Sequence, residues 1–278
     1  MSPFLRRLYR LSLLLLLAVV GILIELVVFP LIPQQGRRGI IRQWSRALLS
    51  TCGLQLRVDL DPFDTAGDDS TAGQPLDERA PGCMLVSNHV SWLDIFAINA
   101  LATSAFVAKA ELRRWPVAGW LAALAGTVFI ERGRRHAVHR VIEKLRQRIR
   151  ARFPVAVFPE ATTSAGRSLL PFHANLLAAA IEEHAEIIPI ALRYLNSTGA
   201  PAAEAAYVGD TTFLESLWTV LGAKGLVVTV SVLRAVPTIG RHRHELAREL
   251  RGLISARLES PMRNTAPETA AVFQAASR

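Results

Sequence analysis

Apolar and polar positions divide the chain into stretches of different character. From Leu11 to Ile32 the residues are predominantly apolar, with interruptions such as Gly21, Glu25 and Pro30, and Arg6, Arg7 and Arg10 precede the run. At about 1.5 Å of rise each, its 22 residues suffice to cross a bilayer, and they exceed the roughly 7–15 residue apolar region of a secretory signal. No small-x-small cleavage site follows, so the pattern predicts an uncleaved membrane anchor. Arg37, Arg38, Arg42 and Arg46 follow the run much as the other arginines precede it. Flanking charge therefore gives no orientation, and a helix that dips in and returns is as acceptable as one that spans. Ile40, Ile41, Trp44, Ala47 and Leu48 then share one helical face. That face fits a helix lying among headgroups and equally an amphipathic helix packed on a core.

Asp61 to Gly82 is rich in Asp, Gly, Pro, Ser and Thr without periodicity and reads as an exposed loop. From Cys83 onward, short apolar runs alternate with longer segments of helical period. Strands are expected near 83–87, 105–108, 127–131, 155–158, 187–191 and 226–233, and helices near 92–101, 115–124, 136–152, 172–184, 211–221 and 243–258. Within 136–152, Val138, Val141, Ile142, Leu145 and Ile149 form one stripe and Arg140, Lys144, Arg146, Arg148 and Arg150 surround it. Such alternation predicts an α/β fold with a mixed, largely parallel sheet flanked by helices. The division expected is a membrane anchor and interfacial helix over 1–53, an α/β domain over 54–259 and a flexible tail over 260–278.

The 278 residues are 51% hydrophobic and carry a formal net charge of +9, which calls for an acidic partner or surface. Nucleic acid fits poorly, because aromatic content is 7%, no zinc-finger or RNP-type motif is present, and an apolar anchor would hold the chain at a membrane. A bilayer with anionic lipids fits both features, at about 1 kcal/mol per basic residue near the surface. Cys52 and Cys83 have no metal-ligand or redox spacing, so two free thiols and a reducing compartment are expected, with no metal site.

The densest chemistry lies in Asn88-His89-Val90-Ser91-Trp92-Leu93-Asp94, directly after the apolar run Cys83 to Val86. In one continuous helix, positions five apart lie roughly 140° apart at about 100° per residue, so His89 has to precede the helix to meet Asp94. Ser91 as N-cap of a helix opening at Trp92 would place His89 in the strand-to-helix loop, where an imidazole with an orienting carboxylate can act as a general base. The plainer alternative is a capping box, with Asp94 three residues after Ser91 and His89 a satisfied loop histidine.

Further motifs follow at strand ends: Phe106 to Leu112, Gly126 to Arg132, Val157 to Ser164 and Ile187 to Ile190. Strand termini on one sheet edge converge, so His89, Lys109, Arg132 and Glu160 can line one cleft. Each also has an ordinary explanation, as a surface charge or a helix-terminal acid. Together the motifs resemble the PlsC-like glycerolipid acyltransferase family. Its N-H-x-S-x-x-D pattern is met by Asn88, His89, Ser91 and Asp94, its G-x-x-F-I-x-R by Gly126, Phe129, Ile130 and Arg132, and its F-P-E-G-T-x-S by Phe158, Pro159, Glu160, Thr162 and Ser164. Ala161 departs from the pattern by standing where the family has Gly.

The resemblance implies that His89 and Asp94 are catalytic and that Asn88, Lys109, Thr127, Arg132, Glu160 and Thr162 bind substrate. It implies acyl transfer from acyl-CoA or acyl-carrier protein to the sn-2 hydroxyl of 1-acyl-glycerol-3-phosphate, with no cofactor and no serine nucleophile. His89 would take the hydroxyl proton, Asp94 would fix the imidazole tautomer, and Arg132 would grip the acceptor phosphate. Glu160 would bond glycerol oxygens or orient Arg132, and Lys109 would face the developing oxyanion. Lysolipid and product both reside in the bilayer while the thioester donor is cytosolic, which puts the site on the cytoplasmic face of the inner membrane. Rival readings are a lyso-ornithine lipid or other lysophospholipid O-acyltransferase, a thioester hydrolase, and a catalytically silent lipid-binding protein.

Overall fold

The structure, a computed structural model, describes residues 2–60, 75–110, 127–130 and 135–261. Seven described strands form one sheet: β1 (Leu54–Leu60), β2 (Met84–Ser87), β3 (Ala105–Lys109), β4 (Val128–Ile130), β5 (Val155–Val157), β6 (Ile187–Leu195) and β7 (Leu226–Val232), in the order β1-β7-β6-β2-β5-β3-β4. Every neighbouring pair is parallel except β6 with β7. The mixed, largely parallel sheet is the one the alternation predicts. β1 was not anticipated, although Leu54, Leu56, Val58 and Leu60 alternate with polar residues along it as a strand requires. β6 also runs four residues past its expected end at position 191.

Both faces of the sheet are covered, which is why its central strands read as unbroken apolar runs. One face packs Leu85, Phe106, Ile190, Leu192, Val228 and Val230 against α2 (Gln34–Thr51), α4 (Asp94–Asn99) and α7 (Phe213–Gly222). The other packs Met84, Val86, Val155 and Val157 against α5 (Arg135–Arg150), α6 (Ala178–Glu182) and α8 (Arg243–Glu259). The stripe expected on α5 is the buried one, with Val141, Leu145 and Ile149 inside, and Arg146 and Arg150 pair with Glu183. α3 is a single turn, Leu76–Arg79, and the helix expected at 115–124 lies outside the described residues. Cys52 and Cys83 are free thiols, and burial pushes both up to about 12.

The apolar run forms α1 (Pro3–Leu23), a π turn (Ile24–Val28) and a 3-10 turn (Phe29–Leu31), together 29 residues long and apolar enough to cross a membrane. Its N-terminal arginines are tied to the C-terminal end of α7: Arg6 and Arg10 donate to the carbonyls of Gly222, Leu221 and Ala223, and Arg7 to that of Trp218. Cations favour a helix C-terminus, where carbonyls lack helical partners. Beyond the run, Arg42 bonds both Asp77 oxygens at 2.8 and 3.0 Å, and Arg38 reaches the carbonyl of Arg152. Both ends of the apolar segment are thus fastened to the same α/β body. α1 packs on α2 where Trp44 Nε1 donates to Leu17 O at 3.1 Å and the indole covers Gly21, while Phe4, Leu5, Leu8, Leu15, Leu16 and Val19 face outward.

Candidate active site

β2 and β5 are neighbours paired Val86 to Val157, so the segments leaving them start side by side at one sheet edge. His89 is gripped there through its backbone. Its N–H donates to Glu160 Oε1 at 2.8 Å and its carbonyl accepts from the Ser164 N–H at 2.8 Å. The ring lies flat on Phe158, with centroids 4.0 Å apart and planes 12° apart, and Phe106 backs Phe158 at 6.0 Å. Nδ1 is 2.7 Å from Asp94 Oδ2.

Asp94 is fully buried, yet each oxygen is satisfied. Oδ2 also accepts the N–H groups of Val90 at 2.7 Å and Ser91 at 3.0 Å, and Oδ1 accepts the Tyr194 hydroxyl at 2.7 Å. Burying a carboxylate costs its hydration, and four donors offset that loss. A carboxylate on Nδ1 places the ring proton there and leaves Nε2 as the basic nitrogen. The histidine side chain is 20% exposed, and among the described residues nothing bonds Nε2. A buried acid therefore orients a base that faces outward.

Glu160 is 3% exposed, with Oε2 accepting the Leu170 N–H at 2.9 Å. Burial raises its carboxyl above the ordinary range, and the amide bonds from Leu170 and His89 pull the other way. The 158–164 segment turns sharply at Ala161, whose φ of 59° is left-handed, and the Ala161 N–H closes the turn on Phe158 O at 3.0 Å. Alanine stands here in a conformation glycine adopts at less cost.

The family model described as "Acyltransferase" matches residues 73–193. A 1-acyl-sn-glycerol-3-phosphate acyltransferase of Neisseria meningitidis serogroup B is 40% identical over 198 residues, spanning 71% of this chain and 71% of that protein. The chain belongs to the PlsC-like acyltransferase family. A lyso-ornithine lipid O-acyltransferase of Pseudomonas aeruginosa is 37% identical over 188 residues, 68% of this chain and 69% of its own. The crystal structure of the 1-acyl-sn-glycerophosphate acyltransferase PlsC from Thermotoga maritima shares the fold, with TM-score 0.65 and 22% identity over 92% of this chain and 94% of that one.

Placed in this acyltransferase, the residues expected from sequence do not all converge. His89 and Asp94 meet as described. Thr162 is exposed on the turn beside Glu160. The Lys109 backbone lies at the right edge: Phe106 pairs with Ala156 and Ala156 with Leu85, so Lys109 is level with Asn88. Arg132 lies outside the described residues. For three others the geometry differs from the one expected. Asn88 is fully buried and its amide is engaged in both directions by the backbone of Leu192, at 2.8 and 3.0 Å, so it locks the loop to β6 instead of facing substrate. Glu160 has both oxygens on backbone amides and positions His89. Thr127 precedes Val128, which pairs with Val107, so it is level with Leu85, four residues short of His89 and about 13 Å away along the strand direction.

Ser91 is likewise not a side-chain cap. α4 begins at Asp94, and the buried Ser91 Oγ has no hydrogen-bond partner among the described residues. Half of the capping box nevertheless exists, in the bond from the Ser91 N–H to Asp94. The two readings of Asp94 were not exclusive, because one oxygen both caps the turn and holds the imidazole. Sequence reasoning missed Tyr194. The period-2 alternation of Leu192 and Tyr194 with Arg193 would have extended β6 far enough to reach it.

Proposed function

We propose that this enzyme transfers a fatty acyl group from acyl-CoA or acyl-carrier protein to the free sn-2 hydroxyl of 1-acyl-glycerol-3-phosphate, giving phosphatidate. The observation that carries the reading is the 2.7 Å contact of His89 Nδ1 with a buried, four-fold hydrogen-bonded Asp94. Nε2 removes the hydroxyl proton as that oxygen attacks the thioester carbonyl, and the imidazolium formed is stabilised by Asp94. Collapse of the tetrahedral intermediate breaks the carbon–sulfur bond, and the imidazolium returns its proton to the departing thiolate. Arg132 holds the acceptor phosphate, Thr162 hydrogen-bonds the acceptor, and Lys109 stabilises the oxyanion at the same sheet edge. The acceptor assignment is supported by the 40% identical Neisseria relative.

The enzyme works at the cytoplasmic face of the inner membrane. A spanning helix has to place its ends on opposite sides of the bilayer, whereas here Arg6 and Arg10 on one side of the apolar run and Arg38 and Arg42 on the other all bind the α/β body. The run therefore rests in one leaflet, and α2 brings the chain back to the body. The outward faces of α1 and α7 form one apolar surface, with Phe4 against Trp218 at 6.5 Å and Leu214 73% exposed, and this surface meets the lipid.

A second reading, lyso-ornithine lipid as acceptor, is favoured by the Pseudomonas relative. Competition decides between them. Full-length protein in detergent receives labelled acyl-CoA with equimolar lysophosphatidate and lyso-ornithine lipid, and the products are separated. Labelled phosphatidate from wild type, absent with His89→Ala, supports the first reading. Labelled ornithine lipid as the main product replaces it with the second, and free fatty acid as the main product replaces both.

A further inference from the structure

We infer that Tyr194 is a positioning residue that sets the proton affinity of His89 through Asp94, an inference that rests on the catalytic reading of that pair. β2 ends at Ser87, opposite Ile190, whereas β6 continues to Leu195. The overhang passes beneath the 88–94 loop, and two alternate residues on it hold that loop. The backbone of Leu192 bonds Asn88 in both directions, and the Tyr194 hydroxyl donates to Asp94 Oδ1 at 2.7 Å. Tyr194 is 4% exposed, and its phenol is held neutral: burial raises its pKa well above the ordinary value, and the neighbouring Asp94 adds to the effect. It is thus a permanent donor at every pH at which the enzyme works.

The two carboxylate oxygens share one charge. A donor on Oδ1 draws density away from Oδ2, the atom facing His89, so the phenol limits how strongly Asp94 favours the imidazolium. Removing the hydroxyl concentrates charge on Oδ2 and raises the proton affinity of the ring. It also frees the carboxylate to turn about its own axis, since Oδ1 has no other partner among the described residues. Among the described residues, the groups placed against His89 are Asp94 from α4, the uncharged ring of Phe158, and the Glu160 carboxylate, which binds the His89 backbone N–H.

The test uses full-length protein, labelled acyl-CoA and whichever lysolipid acceptor wild type uses faster, with kcat, KM and the pH dependence of kcat/KM measured. Tyr194→Phe is expected to lower kcat about tenfold or more with KM within about twofold, and to move the acid limb, which reports the free-enzyme imidazole, to higher pH. Incorporating 3-fluorotyrosine at position 194 keeps the shape and strengthens the donor, so the acid limb moves to lower pH. That variant decides the matter if Tyr194→Phe does not fold. An acid limb unmoved in the folded variants overturns the inference, because a residue that only fills the core has no means of reading phenol acidity. Turnover retained by His89→Ala would instead remove the catalytic reading itself, and the two failures are therefore distinguishable.

Discussion

Replacing Asp94 by Asn separates its two duties. The amide oxygen can take the place of Oδ2, accepting from Val90, Ser91 and His89, while the amide nitrogen faces Tyr194, whose hydroxyl can rotate to accept. The loop therefore keeps its hydrogen bonds and only the charge is lost. An imidazolium and a carboxylate about 4 Å apart interact by about 4 kcal/mol at an effective dielectric of about 20. A neutral hydrogen bond worth about 1 kcal/mol remains in the variant, leaving a deficit of about 3 kcal/mol. Screening at the 20% exposed histidine reduces this towards about 2 kcal/mol. At about 1.4 kcal/mol per tenfold, kcat falls by roughly 30- to 150-fold, with KM and the unfolding midpoint little changed. Asp94→Ala makes the contrast, for it strands two buried amides and a phenol at about 1–3 kcal/mol each and destabilises the fold itself. Steady-state acyl transfer alongside urea unfolding measures both quantities. If Asp94→Asn keeps kcat within threefold of wild type while remaining folded, the carboxylate is only a loop cap and the base assignment collapses.

Ala161→Gly relieves the left-handed φ of 59° at an exposed position, and is expected to stabilise the domain by about 1 kcal/mol. Scanning calorimetry would register about 2–4 °C for a domain of this size, and an unchanged or lower midpoint contradicts the strain. Glu160 gives a pH signature whose sign follows from its raised carboxyl pKa. Below the ordinary 4.5 both folded and unfolded forms are protonated, and as pH rises from there through the folded value the unfolded state ionises first, so wild type loses stability across that window and levels off above it. Glu160→Gln has no such group, so the stability difference between wild type and variant, from urea melts at intervals across the acid range, is expected to decline with rising pH. A flat difference means that the amide bonds from His89 and Leu170 cancel the effect of burial, and a rising one that they outweigh it.

The sheet was legible because its core strands are buried on both faces, and Leu85, Val157 and Ile188 leave no doubt about which segments lie inside. β1 escaped because its signal is alternation in a short segment just after an amphipathic helix, where Arg57 and Asp59 read as surface. The His89–Asp94 pair was readable from local spacing, since a turn of the chain closes it. Asn88, Glu160 and Tyr194 were not, because what they touch is the backbone or a carboxylate from segments 104, 71 and 100 residues away. Residue type announces that such a side chain can accept or donate, but only the topology says to whom. Thr127 shows the converse, a residue inside a recognised motif that strand register sets level with Leu85, short of His89.

His89 takes its ring orientation from a residue 5 positions away, its amide from one 71 away and its carbonyl contact from Ser164, 75 away. The base therefore depends on contacts from three separate stretches of the chain. Heat inactivation of the finished enzyme is accordingly expected to follow melting of the sheet, read by activity and circular dichroism on one temperature ramp.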